Sequence, residues 1–474
     1  SRIRAEQVLS AQKSDFNFDQ IYDLVQVDMK INDRDIRSLK QIELSVEIEN
    51  AIPINCNIKK LTRHSVLITD MYHNEFFIRK LLYAVGIDFE LPIIQTSFGK
   101  SQGYVWEQLM RSGVQCWHLG DSSHSDVRMA RKYGMKATYS IASEPNIFES
   151  KLSECGLYGL ACCFREARLR YFVASEKYQC QALALQNFVN IPLVIYFAAY
   201  LIKNFALTGA KNKFLFASRD CRLLHHAFRA ILTKFPSLHD SIDTRYWLTS
   251  RQSRVYGSTS YLQYCDELAG ADDCLFVDLV GTGASMHILC DRLNKIISHE
   301  FTSENFFIAL NSGFPDSKKG VSPPHAELAR RYSIMGERML DRQGNIHHAL
   351  SHEKAVSGLH LEMLNYTPEG MLRDVVKIQN SYIPWRDQFD LGDFQRDLCL
   401  FTQSYSYEFI AHCINSFNGP MDSFLDDVLS GKYLNVVYGV CDEVRPCLND
   451  FAEEYFQVDH VSSENFIDLQ NGLG

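Results

Sequence analysis

WHLGDSSHSDVRMARKYGMKATY, residues 117–139, decides how the chain is read. Cys116 to Leu119 is an apolar-leaning run of strand length, and Gly120-Asp121 breaks it. Val127 to Tyr133 has helical spacing, Gly134 sits where a helix C-cap belongs, and a short strand follows to Tyr139. Asp121 and Asp126 thus share one loop at the C-terminal end of a strand, a placement suited to holding a hard divalent cation through oxygen ligands. An N-cap with a solvated turn would use the same residue types, since Asp and Ser are favoured at both.

The upstream sequence adds context. Ser65 to Thr69 reads as a strand ending in a hydroxyl residue, followed by Asp70, Met71, Tyr72 and an amphipathic helix through Val85. A loop, Ser97 to Gly103, then carries Lys100. Thr at a strand tip, Lys on a later loop and then GDxxxxD, in that order, resembles the haloacid-dehalogenase superfamily of phosphohydrolases over residues 1–145. The resemblance implies that Thr69 and Lys100 bind the transferring phosphoryl group, and that Asp121 and Asp126 help hold Mg²⁺.

The family's nucleophile is an aspartate in a DxD motif on the first, central strand. Asp70 does not fill that role, because Tyr72 stands where the second acid belongs and Lys100 follows too closely. Residues 1–60 instead hold three helical patterns, Ile3 to Gln12, Asp19 to Met29 and Asp33 to Asn50, which fit the helical cap that the superfamily commonly inserts after its first motif. The expectation is that this chain, opening on Ser1, begins inside the cap and lacks the nucleophile strand.

With 474 residues the chain has room for two or three domains. Its formal charge of −9 argues against a dedicated nucleic-acid binder. The 14 cysteines show no CxxC pairs and read as reduced thiols of a cytoplasmic protein. The longest apolar run, Ile191 to Ile202, is too short to span a bilayer, so no membrane span is expected. It lies in a helical connector, residues 147–207, with Pro192 as the expected break between two helices.

A second α/β pattern follows. Strands are expected at Lys213 to Ala217, Thr244 to Leu248, Cys274 to Val277 and Asn305 to Leu310, with helices between them, which argues for a parallel sheet. The loop from Asp278 through Gly281, Thr282, Gly283, Ala284 and Ser285 enters a helix with exposed N–H groups, small side chains and two hydroxyls, which is what a phosphate monoester needs. FVDLVGTGAS resembles the phosphoribosyl-diphosphate loop of type I phosphoribosyltransferases. By that resemblance Asp278 contacts ribose hydroxyls, Thr282 to Ser285 wrap the 5′-phosphate, and Ser218, Arg219, Asp220 and Cys221 fall where the family's diphosphate loop belongs. Val277 stands where the family usually has a second acid. Arg251 and Arg254 are placed to grip diphosphate, or to form ordinary surface ion pairs. FASRDCRLL, YWLTSR and VDLVGTG also resemble the two-domain phosphatase-like proteins found with bacterial surface-polysaccharide genes.

After Pro323 the pattern turns helical, with Met371 to Asn380, Phe394 to Asn415 and Pro420 to Asp442 as helices that cover the sheet or dock a protein partner. His347, His348, His352 and His360 lack metal-ligand spacing. The resulting expectation is an α/β chain with two Rossmann-like parallel-sheet domains. The first is haloacid-dehalogenase-like, with a helical cap (residues 1–60) and a core (61–146). The connector leads to a phosphoribosyltransferase-like domain (208–335) and a helical C-terminal region (336–474). Two functions are open: an enzyme acting on phosphorylated sugars or nucleotides with Mg²⁺, or a non-catalytic sensor of the same ligands in a surface-polysaccharide or stress system.

Overall fold

The computed structural model describes residues 1–12, 15–96, 99–270, 274–281, 284–296, 304–310, 358–388 and 392–456 of a mixed α/β chain. Contacts divide it into two units, Ser1–Pro145 with Leu169–Val173, and Asn146–Arg168 with Ala174–Gly474. The helices expected to form a separate connector belong mainly to the second unit.

The first unit opens with the helices Arg2–Ala11, Phe18–Met29 and Asp33–Glu49. Asn17 and Asn32 start the second and third by accepting backbone N–H groups, which satisfies donors that the first helical turn leaves without partners. Ile21, Tyr22, Val25 and Ile36 close these helices onto one apolar cluster, and Arg2 ties the first to the third through Glu43. Four short strands follow: β1 (Leu67–Thr69), β2 (Ile93–Gln95), β3 (Trp117–Gly120) and β4 (Lys136–Tyr139). They form two separate parallel pairs, β1 with β2 and β3 with β4. β2 has no counterpart in the sequence expectation. Val105, Trp106, Met129 and Ala130 pack with Ile68 and Ile94, so both pairs share one core. All the strands but β4's Ala137 are only partly buried, which is unusual for parallel strands.

In the second unit Lys177–Ala206 is one continuous helical run, so the break expected at Pro192 does not occur. A π-helical turn at Gln186–Asn190 precedes it, and Pro192 takes one of the first positions of the next α-helical segment, where its missing N–H costs least. This run is long and apolar enough to cross a membrane, but 89% of its apolar window is buried inside the protein. Tyr433 covers it, donating its hydroxyl to the Pro192 carbonyl at 3.0 Å and stacking on Tyr196.

The second sheet has strands β5 (Lys213–Ala217), β6 (Asp243–Trp247), β7 (Cys274–Gly281) and β8 (Glu304–Leu310), all parallel, in the order β6-β5-β7-β8. β7 is longer than expected and carries Asp278 and Gly281 inside the strand rather than on the loop. Every residue of β5 is buried, as a central parallel strand requires. A helix, Gly358–Asn365, packs against β7. The expected helix from Met371 to Asn380 is instead an antiparallel hairpin, β9 (Leu372–Ile378) with β10 (Ser381–Arg386). Val375, Val376 and Ile378 favour the pleated surface, and the Gln379-Asn380 turn, with Gln379 at φ +54°, closes a two-residue hairpin. Helices Asp393–Asn415, Met421–Val428 and Gly431–Phe456 complete the unit. Thr282, Gly283, His347, His348 and His352 lie outside the described residues.

Candidate functional site

Two groups of charged side chains sit at the carboxyl ends of parallel strands, one in each unit. In the first, β1 delivers Thr69 and Asp70. The Thr69 hydroxyl accepts the Met71 N–H at 3.2 Å, and so is turned onto its own loop. Asp70 accepts the Thr96 hydroxyl at 2.5 Å and the Lys100 N–H at 3.3 Å. Lys100 stands on a one-turn helix, Gly99–Gln102, rather than on an open loop. A Cβ at Gly99 would fall within 2.8 Å of three Thr96 side-chain atoms, so this turn closes on Thr96 only with glycine.

Asp126 is the centre of this group. Its Oδ1 lies 2.9 Å from Lys100 Nζ and 3.0 Å from His118 Nε2, and its Oδ2 accepts the Ser122 N–H at 3.0 Å. The side chain is 2% exposed. Burial alone would raise the carboxyl pKa, but the hydrogen bonds from His118 and Lys100, with the Lys100 charge, hold it well below the usual carboxylate range. Local sequence builds this geometry. Ser122 caps a π-helical turn, Ser123–Arg128, that turns Asp126 back toward β3, whereas the expected helix began only after it. Gly120 makes the approach possible, since a Cβ there would meet Asp126 at 2.4 Å. Trp106, fully buried, donates its indole N–H to the carbonyls of Lys100 (3.2 Å) and Ser125 (3.0 Å), fixing the lysine turn against the aspartate turn.

Asp121 stands exposed, without a hydrogen bond or ion pair among the described residues. Lys100 and Asp126 are thus in direct contact, while the side chains of Thr69 and Asp121 make no hydrogen bond or ion pair to either. Among the described residues no three His, Cys, Asp or Glu side chains converge as metal ligands. As arranged, the site suits an ammonium group: Mg²⁺ needs several oxygens, and the buried carboxylate is already neutralised by Lys100.

The second group lies where the strand order reverses. The chain runs from β5 out to β6, then crosses back to β7 on the other side of β5, leaving a crevice outside the carboxyl ends of β5 and β7. Ser218 is spent on structure: its hydroxyl donates to the Thr249 carbonyl at 2.7 Å and accepts the Thr249 N–H at 2.9 Å. Arg219 has φ +74°, a left-handed conformation uncommon for a residue with a side chain. Its N–H donates to the Tyr246 hydroxyl at 2.7 Å and its guanidinium lies over Tyr366, 4.5 Å from the ring centre. Asp278 is fully engaged, Oδ2 pairing with Arg254 at 2.9 Å and Oδ1 accepting the Leu279 N–H at 2.9 Å. Arg254 is buried against Trp247, and also donates to Thr249 Oγ1 at 2.9 Å and to the Ser285 hydroxyl at 3.3 Å. Arg251, at the start of the same helix, is exposed.

Sequence reasoning missed Glu362. It comes from the helix packed on β7 and joins Asp220, Asp278, Arg219 and Arg251. Burial first, and then the neighbouring Asp220, push its carboxyl up to about 8, with Arg251 and Arg219 offsetting part of the rise. Asp220 is also raised, by burial and by Asp278. The available signal was a single acid in the otherwise apolar run Leu361, Met363, Leu364.

No family model matches this chain, and no curated protein matches it.

Proposed function

We propose that the chain handles phosphorylated sugars or nucleotides, with a haloacid-dehalogenase-like first unit and a phosphoribosyltransferase-like second unit built on two Rossmann-like sheets. The observation that carries this reading is the Lys100–Asp126 pair at the carboxyl ends of parallel strands, in the order Thr, Lys, acid of the phosphohydrolases. Lys100 supplies positive charge for a phosphoryl group, and His118 and Asp126 hold that ammonium in place. With Asp126 paired to Lys100 the residues as arranged do not fit Mg²⁺; in a form where that pair opens, Asp121 and Asp126 are the carboxylates that would hold the ion, which would supply positive charge against phosphate. In the second unit Arg219 and Arg251 offer cations at the switch point, and Ser285 stands at the helix entrance.

The second reading, a non-catalytic sensor, is favoured by one observation. Asp70 Oδ1 accepts from both Thr96 and the Lys100 N–H and ties β1 to the lysine turn, a structural use of the acid, and Tyr72 stands where the second acid of a nucleophile motif belongs. Both readings predict binding of ribose 5-phosphate by titration calorimetry, and no binding would end both. Hydrolysis of p-nitrophenyl phosphate with Mg²⁺ separates them. We expect none from this chain, and hydrolysis lost in Asp70→Asn would make Asp70 a nucleophile and sink the sensor.

A further inference from the structure

A third charged region lies on the helix Arg222–Leu232, which follows directly on the Ser218–Cys221 loop. Arg222, His225, His226 and Arg229 recur at helical spacing and so share one face. That face, with Tyr246 and Tyr407, lines an open cleft of about 510 Å³. The volume falls in the range of small-molecule sites.

The cleft carries excess positive charge in a chain of net charge −9. Arg222 pairs with Glu369 at 3.3 Å, but Arg229 has no carboxylate partner among the described residues. His226 Nε2 is 3.1 Å from the Tyr407 carbonyl, which fixes its ring. His225 is packed between Phe216 and Tyr246, parallel to the tyrosine within 8°, and its buried Nε2 has no hydrogen-bond partner among the described residues. Burial and the adjacent Arg229 hold the His225 imidazole down to about 4, so an unsatisfied ring stands beside an arginine that has no carboxylate pair among the described residues, while Glu369 and Glu408 act on Arg222 and His226. The aromatic walls, Tyr246 and Tyr407, suit a flat ring.

We propose that this cleft binds a nucleoside monophosphate, with Arg229 and Arg222 on the phosphate and the base against Tyr246 and Tyr407. The cleft adjoins the switch-point group through Tyr246, whose hydroxyl accepts the Arg219 N–H at 2.7 Å, but its cations, Arg222 and Arg229, are not those of that group. The test is titration calorimetry of the full chain with AMP, adenosine and inorganic phosphate. AMP binds more tightly than either fragment, and Arg229→Gln, an exposed position that leaves packing intact, weakens AMP about tenfold, the worth of one charge-assisted hydrogen bond. Tyr407→Leu weakens AMP and adenosine together. Absence of AMP binding at millimolar concentration overturns the proposal, as does equal affinity in Arg229→Gln. Loss of AMP binding in Asp278→Asn with Arg229→Gln unaffected moves the nucleotide to the β7 end and overturns it as well.

Discussion

Replacing Asp126 by Asn tests whether the first unit is held together at its charged centre. The substitution keeps the shape of the side chain but leaves the Lys100 ammonium, 16% exposed, without its anion. Removing one partner of a buried pair costs about 3–5 kcal/mol. Lys100's residual access to water places this case near 3 kcal/mol, or roughly 6–12 °C in melting temperature for a unit of this size. Differential scanning calorimetry of wild type, Asp126→Asn, Lys100→Met and the double variant gives both the loss and the coupling. The pH dependence has a definite direction. A carboxyl held well below its usual range in the folded state contributes stability that is present above about pH 3.9, the unfolded Asp value, and is lost as pH falls further. The gap between wild type and Asp126→Asn should therefore be full at pH 6 and close in acid below about pH 4. A loss under about 1 kcal/mol at pH 6, or additive losses in the double variant, would show that the contacts exist without holding the unit.

Glu362→Gln should gain stability on wild type as pH rises from about 4.3, the unfolded Glu value, to about 8, and level off above; a flat difference in urea midpoints across that window would mean the carboxyl is not strained. Lys100→Met frees the Asp126 carboxylate, so Mg²⁺ affinity by calorimetry should rise about tenfold, and Asp121→Asn should reverse the gain; unchanged affinity in both removes the metal assignment. Fusing an extended apolar segment bearing Asp-x-Asp through a flexible linker should raise the first unit's melting temperature and create Mg²⁺-dependent p-nitrophenyl phosphate hydrolysis. No rise in either would leave β1 and β3 without a use for a further strand.

Where local chemistry determines the structure, the sequence was readable. The three N-terminal helices follow the spacing of Ile21, Val25 and Ile36, and the strands of the second sheet follow runs such as Lys213–Ala217 that are buried on both faces. Gly134, at φ +80°, closes its helix as its position demands. Failures came where tertiary contacts decide. Met371–Asn380 contains residues compatible with either state, and pairing with Ser381–Arg386 settles it as a strand. Pro192 reads as a break, but burial of 89% of the apolar window in Lys177–Ala206 makes a π turn cheaper than exposing apolar surface. The candidate sites divide in the same way. Order and spacing singled out Lys100 and Asp126 but not their pairing, which the π turn after Ser122 makes, and the role of Arg254 and the presence of Glu362 depend on which element packs beside β7.

The two sheets differ in a way that bears on mechanism. β5 is buried along its whole length and is flanked by a strand on each side, so the charged groups at its end rest on a rigid base. β1 and β3 are three and four residues long, partly exposed, and each has a strand on one side only among the described residues. A row of backbone N–H and C=O groups on each is thus left to solvent or to a further strand. Burying such a group without a partner costs about 1–3 kcal/mol, which fits the partial exposure of these strands: water satisfies what no strand does. Trp117, 53% exposed on β3, is the apolar side chain that a covering strand would bury. The Lys100–Asp126–His118 group rests on this half-open base, held mainly by Trp106 and the π turn rather than by the sheet. If the strand-bearing fusion raises the melting temperature, the rise should persist in Lys100→Met, because strand pairing and the ion pair are separate supports. A rise that disappears in Lys100→Met would mean that the added aspartates bind the lysine and that the edges of β1 and β3 remain open.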